Sequence, residues 1–101
     1  MVVCYVGIGS NLDQPVVKAQ LAIEALKQLP LSQLVAVSPL YCSKPMGPSE
    51  QPDYINAVAA IQTDLSPLAL LDQLQKIEQQ TGRVRKAERW GPRTLDLDLI
   101  L

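Results

Sequence analysis

The sequence predicts an α+β domain of order βαββαβ, in which a four-stranded antiparallel sheet carries two helices on one face. Three observations point there. Short β-branched or alternating apolar stretches at Val2–Val6, Leu34–Val37, Tyr54–Thr63 and Thr94–Leu101 read as strands. Two longer stretches, about 14–29 and about 67–81, repeat apolar residues at helical spacing between proline and glycine signals. At 101 residues, 48% apolar and 19% charged, the chain has the size and composition of a single globular domain spanning 1–101.

Each element has a local reason. Val2–Val6 is β-branched and aromatic, and Gly7 and Gly9 bound it, with a turn expected at Gly9-Ser10-Asn11. Pro15 suits a first helical turn after Asp13 or Gln14, and Val17, Leu21, Leu26 and Leu29 recur at helical spacing up to Pro30. Leu34–Val37 is expected to continue past Pro39 through Leu40 and Tyr41. Proline has no N–H to give a ladder, so this strand belongs at an edge. Residues 43–53 hold Pro45, Gly47, Pro48 and Pro52, a long loop of the kind that carries function. In Tyr54–Thr63, Ile55, Ala57, Ala59 and Ile61 share one face and Asn56, Val58, Ala60 and Gln62 the other. Ser66 and Pro67 form an N-cap and first-turn pair. Leu68, Leu71, Leu74 and Ile77 follow at three-residue steps, and Gly82 suits the C-terminal end. Leu95, Leu97 and Leu99 alternate with Asp96, Asp98 and Ile100 in the last strand.

Two right-handed crossovers in this order give the split βαβ, or ferredoxin-like, arrangement, with the first and third strands central. If the leucines of the last strand and the isoleucines of the third face the helices, then Asn56, Asp96 and Asp98 point to the helix-free face. A polar site is expected there.

Composition excludes several chemistries. There is no histidine, and Cys4 and Cys42 are far apart without a CxxC, so neither a zinc site nor a Ser-His or Cys-His nucleophile is readable. The two cysteines are expected to be reduced core or near-core thiols. No apolar run approaches the roughly 18 residues of a membrane span, and no signal peptide is readable, so a cytoplasmic location is expected. Gly7-Ile8-Gly9-Ser10-Asn11-Leu12 begins like a dinucleotide fingerprint, but Leu12 replaces the third glycine and no Walker lysine follows, which leaves a turn.

Charge is concentrated. Between residues 83 and 93, Arg83, Arg85, Lys86, Arg89 and Arg93 stand against Glu88 alone, in a chain of net charge −1. A basic cluster followed by Asp96 and Asp98 suits a metal-bridged polyphosphate, with arginines on phosphate oxygens and carboxylates on the cation. The two aspartates stand roughly 7 Å apart along the strand, and so close a pair of like charges suits a hard divalent ion such as Mg²⁺. The same residues also read as a solvated loop and an edge strand charged for solubility. Trp90 either plugs the edge of the core or stacks on a planar ligand.

The string Arg89-Trp90-Gly91-Pro92-Arg93-Thr94-Leu95-Asp96-Leu97-Asp98-Leu99-Ile100 closely resembles the signature of the 6-hydroxymethyl-7,8-dihydropterin pyrophosphokinase (HPPK) family. Gly9-Ser10-Asn11-Leu12, Gly47-Pro48 through Gln51-Pro52-Asp53-Tyr54-Ile55-Asn56, and Glu78 with Gly82-Arg83-Val84-Arg85-Lys86-Ala87-Glu88 are similar to it too, so the resemblance covers the whole chain. It implies an enzyme that transfers the terminal pyrophosphoryl group of ATP to the hydroxymethyl group of a reduced pterin, releasing AMP, in folate synthesis. It implies two Mg²⁺ ions on Asp96 and Asp98. Arg83 and Arg93 would contact phosphate oxygens and stabilise developing charge, with Arg85 and Lys86 in support. Gln75, Glu78, Trp90 and Leu99 would lie beside the nucleotide. Ser43, Lys44, Met46, Tyr54 and Asn56 would frame the pterin, and Trp90 would close over it. Asp98 is the nearby carboxylate that could take the hydroxyl proton.

Ser43, Lys44 and Met46 depart from the threonine, proline and leucine that related chains often carry. The family also continues further, with more nucleotide contacts and a second aromatic on the pterin, whereas this sequence has no Phe and stops inside an apolar strand. A C-terminally truncated product, inactive alone, is therefore expected, and a monomer at full length. The alternative is a non-catalytic ligand- or RNA-binding module. RNA-binding sheets stack bases on aromatics, and the two central strands offer only Tyr5 and Tyr54. Neither nucleic acid nor membrane is expected as a partner.

Overall fold

Alternation along the strands decides which residues meet. The computed structural model describes residues 1–10, 14–44, 53–82 and 95–100. Its elements are β1 (Val2–Ser10), α1 (Pro15–Lys27), β2 (Ser32–Val37), β3 (Tyr41–Ser43), β4 (Tyr54–Thr63), α2 (Pro67–Gly82) and β5 (Asp96–Ile100). This is an α+β fold with one antiparallel sheet. β1 lies between β4 and β5, and the far edge of β4 pairs with both β2 and β3.

The four strands expected are thus five. The predicted second strand is broken around Pro39, which cannot donate to the ladder. Ser38 bridges the break: its N–H donates to the Val58 carbonyl at 2.8 Å, and its Oγ accepts from the Val58 N–H at 2.9 Å. The pairing of β2 also shifts between Leu34 and Ala36, leaving Val35 without a partner in β4. An edge strand tolerates both irregularities.

β1 corrects a second expectation. It does not end at the glycines but runs through them to Ser10, with Gly7 opposite Val58 and Asp98, and Gly9 opposite Asn56 and Asp96. Neither glycine takes a left-handed φ, so ladder pairing on both sides holds them extended.

Each helix buries half of the stripe its periodicity suggested, Leu26 with Leu29 just past the end of α1, and Leu74 and Ile77 in α2, and completes it with other residues. α1 buries Ala19, Ala22 and Leu26, while Val17 and Leu21 stay exposed; the small alanines let the helix sit close to the sheet. α2 buries Leu70, Leu74 and Ile77, and Leu68 is 79% exposed. At about 100° per residue, steps of three drift round the helix, which puts Leu68 and Ile77 on opposite sides. The cap is as predicted, with Ser66 Oγ accepting from the Ala69 N–H at 3.1 Å.

These stripes join Cys4, Val6 and Ile8 of β1, Ala57, Ala59 and Ile61 of β4, and Leu95 and Leu97 in one core, so both helices cover the same face. Of the two free thiols only Cys4 is buried; Cys42, on the edge strand β3, is exposed rather than near-core. Among the described residues no helix is long and apolar enough to cross a membrane.

Candidate functional site

The strand parity that buries the leucines turns a different set of residues to the uncovered face. Register lines up Tyr41 of β3, Asn56 of β4, Gly9 of β1 and Asp96 of β5 in one row, with Val58, Gly7 and Asp98 in the next. Asn56 and Asp96 are two strand spacings apart, roughly 10 Å between backbones. Gly9 lies between them.

The glycines make this face concave. A Cβ on Gly9 would stand 3.5 Å from Asn56 Oδ1 and 3.8 Å from the Tyr54 ring, and one on Gly7 would stand 3.8 Å from Ile100 and 3.9 Å from Asp98 Cβ. Without them, the strand backbone is the floor of an open cavity of about 450 Å³. Ser43, Lys44, Tyr54 and Asn56 border it on one side and Asp96, Asp98 and Ile100 on the other.

One wall is polar and oriented. Asn56 Nδ2 donates to Ser43 Oγ at 2.7 Å and lies 3.5 Å from the Tyr41 carbonyl. That points the NH₂ group toward β3 and leaves Oδ1 over Gly9, where it can accept from a ligand N–H. The opposite wall is anionic: Asp96 is half-buried and Asp98 exposed on the same face. Their oxygens are hard donors, and a pair of carboxylates suits Mg²⁺, which keeps waters and takes substrate phosphates for its other ligands. Among the described residues no cluster of three or more His, Cys, Asp or Glu could hold a metal.

The structure therefore brings Ser43, Lys44, Tyr54, Asn56, Asp96 and Asp98 together round one cavity. It puts three expected site residues elsewhere. Leu99 packs against the core on the helix side, Gln75 is exposed on α2, and Glu78 is half-buried one turn later, its Oε2 accepting from the Leu97 N–H at 2.7 Å. Met46, Arg83, Arg85, Lys86, Trp90 and Arg93 lie outside the described residues. Sequence reasoning missed Gly7 and Gly9 as the floor, having read them as a turn. Extending the period of two from Tyr5 would have put both on the face of Asn56.

Comparison with known proteins agrees with the resemblance. A family model described as 7,8-dihydro-6-hydroxymethylpterin-pyrophosphokinase (HPPK) matches residues 5–101. Three curated proteins named 2-amino-4-hydroxy-6-hydroxymethyldihydropteridine pyrophosphokinase are similar. That of Haemophilus influenzae is 55% identical over 101 residues, covering 100% of this chain and 62% of the relative. The Pseudomonas aeruginosa protein is 58% identical over 97 residues, 96% of this chain and 59% of the relative. The Pseudomonas putida protein is 59% identical over 97 residues, 96% of this chain and 79% of the relative. The chain thus spans about three fifths of the length of the first two relatives.

Proposed function

The chain belongs to the 7,8-dihydro-6-hydroxymethylpterin-pyrophosphokinase family, and from that premise we propose that its helix-free face carries a site for pyrophosphoryl transfer from ATP to 6-hydroxymethyl-7,8-dihydropterin, with release of AMP. One observation carries the reading: an oriented amide and a pair of carboxylates face each other across a floor of glycine backbone. A flat heterocycle with N–H donors matches the first wall, and a cation-bound triphosphate matches the second.

Each residue then has a task. Asn56 Oδ1 accepts from the pterin's N–H edge while Ser43 holds the amide in place. Tyr54 and the Gly9 backbone bound the ring plane, Lys44 borders the cavity, and the family resemblance assigns Met46 to the pterin as well. Asp96 and Asp98 would hold Mg²⁺, two ions in the fuller reading. When bound, these supply positive charge to the triphosphate. Arg83 and Arg93, supported by Arg85 and Lys86, stabilise charge that builds as the β-phosphorus is attacked, and Trp90 closes the site. The family resemblance assigns Gln75 and Leu99 to the nucleoside.

The fold supports the same reading at its finer level. With β2 and β3 counted as one broken edge strand, an order with β1 and β4 central supports a ferredoxin-like reading. We read the protein as a cytoplasmic monomer acting on small molecules. An RNA-binding sheet is disfavoured by the Asp96 and Asp98 carboxylates on the face that would meet phosphate.

The test uses the product of the natural gene. Asp96→Asn and Asp98→Asn should each lower AMP formation from ATP, Mg²⁺ and the pterin by about 100-fold or more, with unchanged circular dichroism. Near-normal turnover in either variant would remove the assignment.

A further inference from the structure

The strand that carries the two aspartates donates a backbone hydrogen bond to the neighbouring helix. Leu97 separates them, and its side chain is 5% exposed, locked into the core beside Leu95. Its N–H belongs to the peptide group that joins it to Asp96. That N–H donates to Glu78 Oε2 at 2.7 Å, at the short end of the range for an N–H···O hydrogen bond. Glu78 is mounted rigidly, since Leu74 and Ile77 on the same helix are buried. A line of contacts thus runs from the core stripe of α2, through one carboxylate, to the backbone between Asp96 and Asp98.

We propose that Glu78 is the positioning residue of the cation-holding strand. By fixing the plane of the Asp96–Leu97 peptide group, it sets the rotation and height of β5, so that both aspartate side chains are aimed together at the cation site. It acts through Leu97 and not by touching the nucleotide. This rests on the reading of Asp96 and Asp98 as cation ligands.

Mn²⁺, bound in place of Mg²⁺ and followed by electron paramagnetic resonance, provides the test in the product of the natural gene. Two probes accompany it: inorganic triphosphate, which has no nucleoside, and ATP. Glu78→Ala should weaken Mn²⁺ binding about tenfold with both, the usual scale for losing an outer partner of a metal ligand. Glu78→Gln, whose amide oxygen still accepts from the Leu97 N–H, should stay within about threefold of the unsubstituted protein. Before any metal is added, amide exchange at Leu97 should be faster in Glu78→Ala and still slow in Glu78→Gln.

Loss with ATP but not with triphosphate would overturn the inference, because Glu78 would then be a nucleoside contact. So would unchanged Mn²⁺ binding in a Glu78→Ala protein whose Leu97 amide exchanges freely. If Glu78→Ala does not fold, Glu78→Gln decides: a loss as deep as that of Asp98→Asn, with Leu97 still protected, would make Glu78 a direct ligand and end the positioning role. Absence of Mn²⁺ binding in the unsubstituted protein, with Leu97 protected, would instead strike the cation reading and take this inference with it.

Discussion

Replacing Gly9 with alanine should move stability and ligand binding in opposite directions. Gly9 is paired on both sides and has no left-handed φ, so alanine can adopt the same backbone. Its Cβ would meet Asn56 Oδ1 at 3.5 Å and the Tyr54 ring at 3.8 Å, which is ordinary van der Waals contact. Removing glycine's freedom in the unfolded chain then favours folding by about 0.4–1 kcal/mol. In a domain of this size that raises Tm by about 2–6 °C. The same methyl group rises from the cavity floor into the space assigned to the pterin. Overpacking of a fitted contact costs about 1–3 kcal/mol, or roughly 5- to 150-fold in Kd. Scanning calorimetry reads the first effect, and titration with 6-hydroxymethyl-7,8-dihydropterin beside a non-hydrolysable ATP analogue reads the second. A lowered Tm would show that the glycine serves the fold and not the cavity. An unchanged Kd would show that the ligand does not lie over β1.

Three other substitutions test neighbouring links of the argument. Leu74→Ala empties a fully buried position of α2 and should lower the free energy of unfolding by about 2–5 kcal/mol, read as a fall in the urea midpoint. Ser66→Ala removes the cap on the Ala69 N–H and should cost about 1 kcal/mol in the same assay without changing the urea dependence. Ser43→Ala takes away the 2.7 Å partner of Asn56 and should weaken pterin binding by about 0.5–1.5 kcal/mol while leaving Mn²⁺ binding unaltered. Equal losses for both ligands would mean that Ser43 supports the sheet and not the amide.

What was legible in the sequence is what a period of two encodes. Tyr54–Thr63 and the last strand alternate cleanly, and their parities alone put Asn56, Asp96 and Asp98 on the uncovered face. What was not legible depends on neighbours. Gly7 and Gly9 read locally as a turn, and only pairing with β4 on one side and β5 on the other keeps them extended. The helix stripes were legible only in part, at Leu26, Leu29, Leu74 and Ile77, for a related reason. Large residues such as Leu21 and Leu68 mark an apolar side, but the sheet admits α1 closely only where Ala19 and Ala22 stand. Pro39 signalled an edge, though not that Ser38 would carry the ladder across the break.

The site and the core are two faces of one register, and this gives the candidate site its precision. Sliding β5 by one residue against β1 would turn Leu95 and Leu97 out to solvent and drive Asp96 and Asp98 toward Val6, Ile8 and Leu74. Exposing two leucines forfeits about 1.5–3 kcal/mol each, before the cost of burying unpaired carboxylates is counted. The total is comparable to the whole stability of a domain this small. Register is therefore enforced by leucines buried on the face away from the cavity. Yet burial specifies only which face a side chain takes, and tolerates small rotations of an edge strand that would spread two carboxylates apart. A directional contact is needed for that finer setting. Within the described part of β5, the hydrogen bond that the Leu97 N–H donates to Glu78 Oε2 is placed to supply it. Hydrophobic packing thus chooses the face, and the hydrogen bond accepted by the neighbouring helix sets the aim.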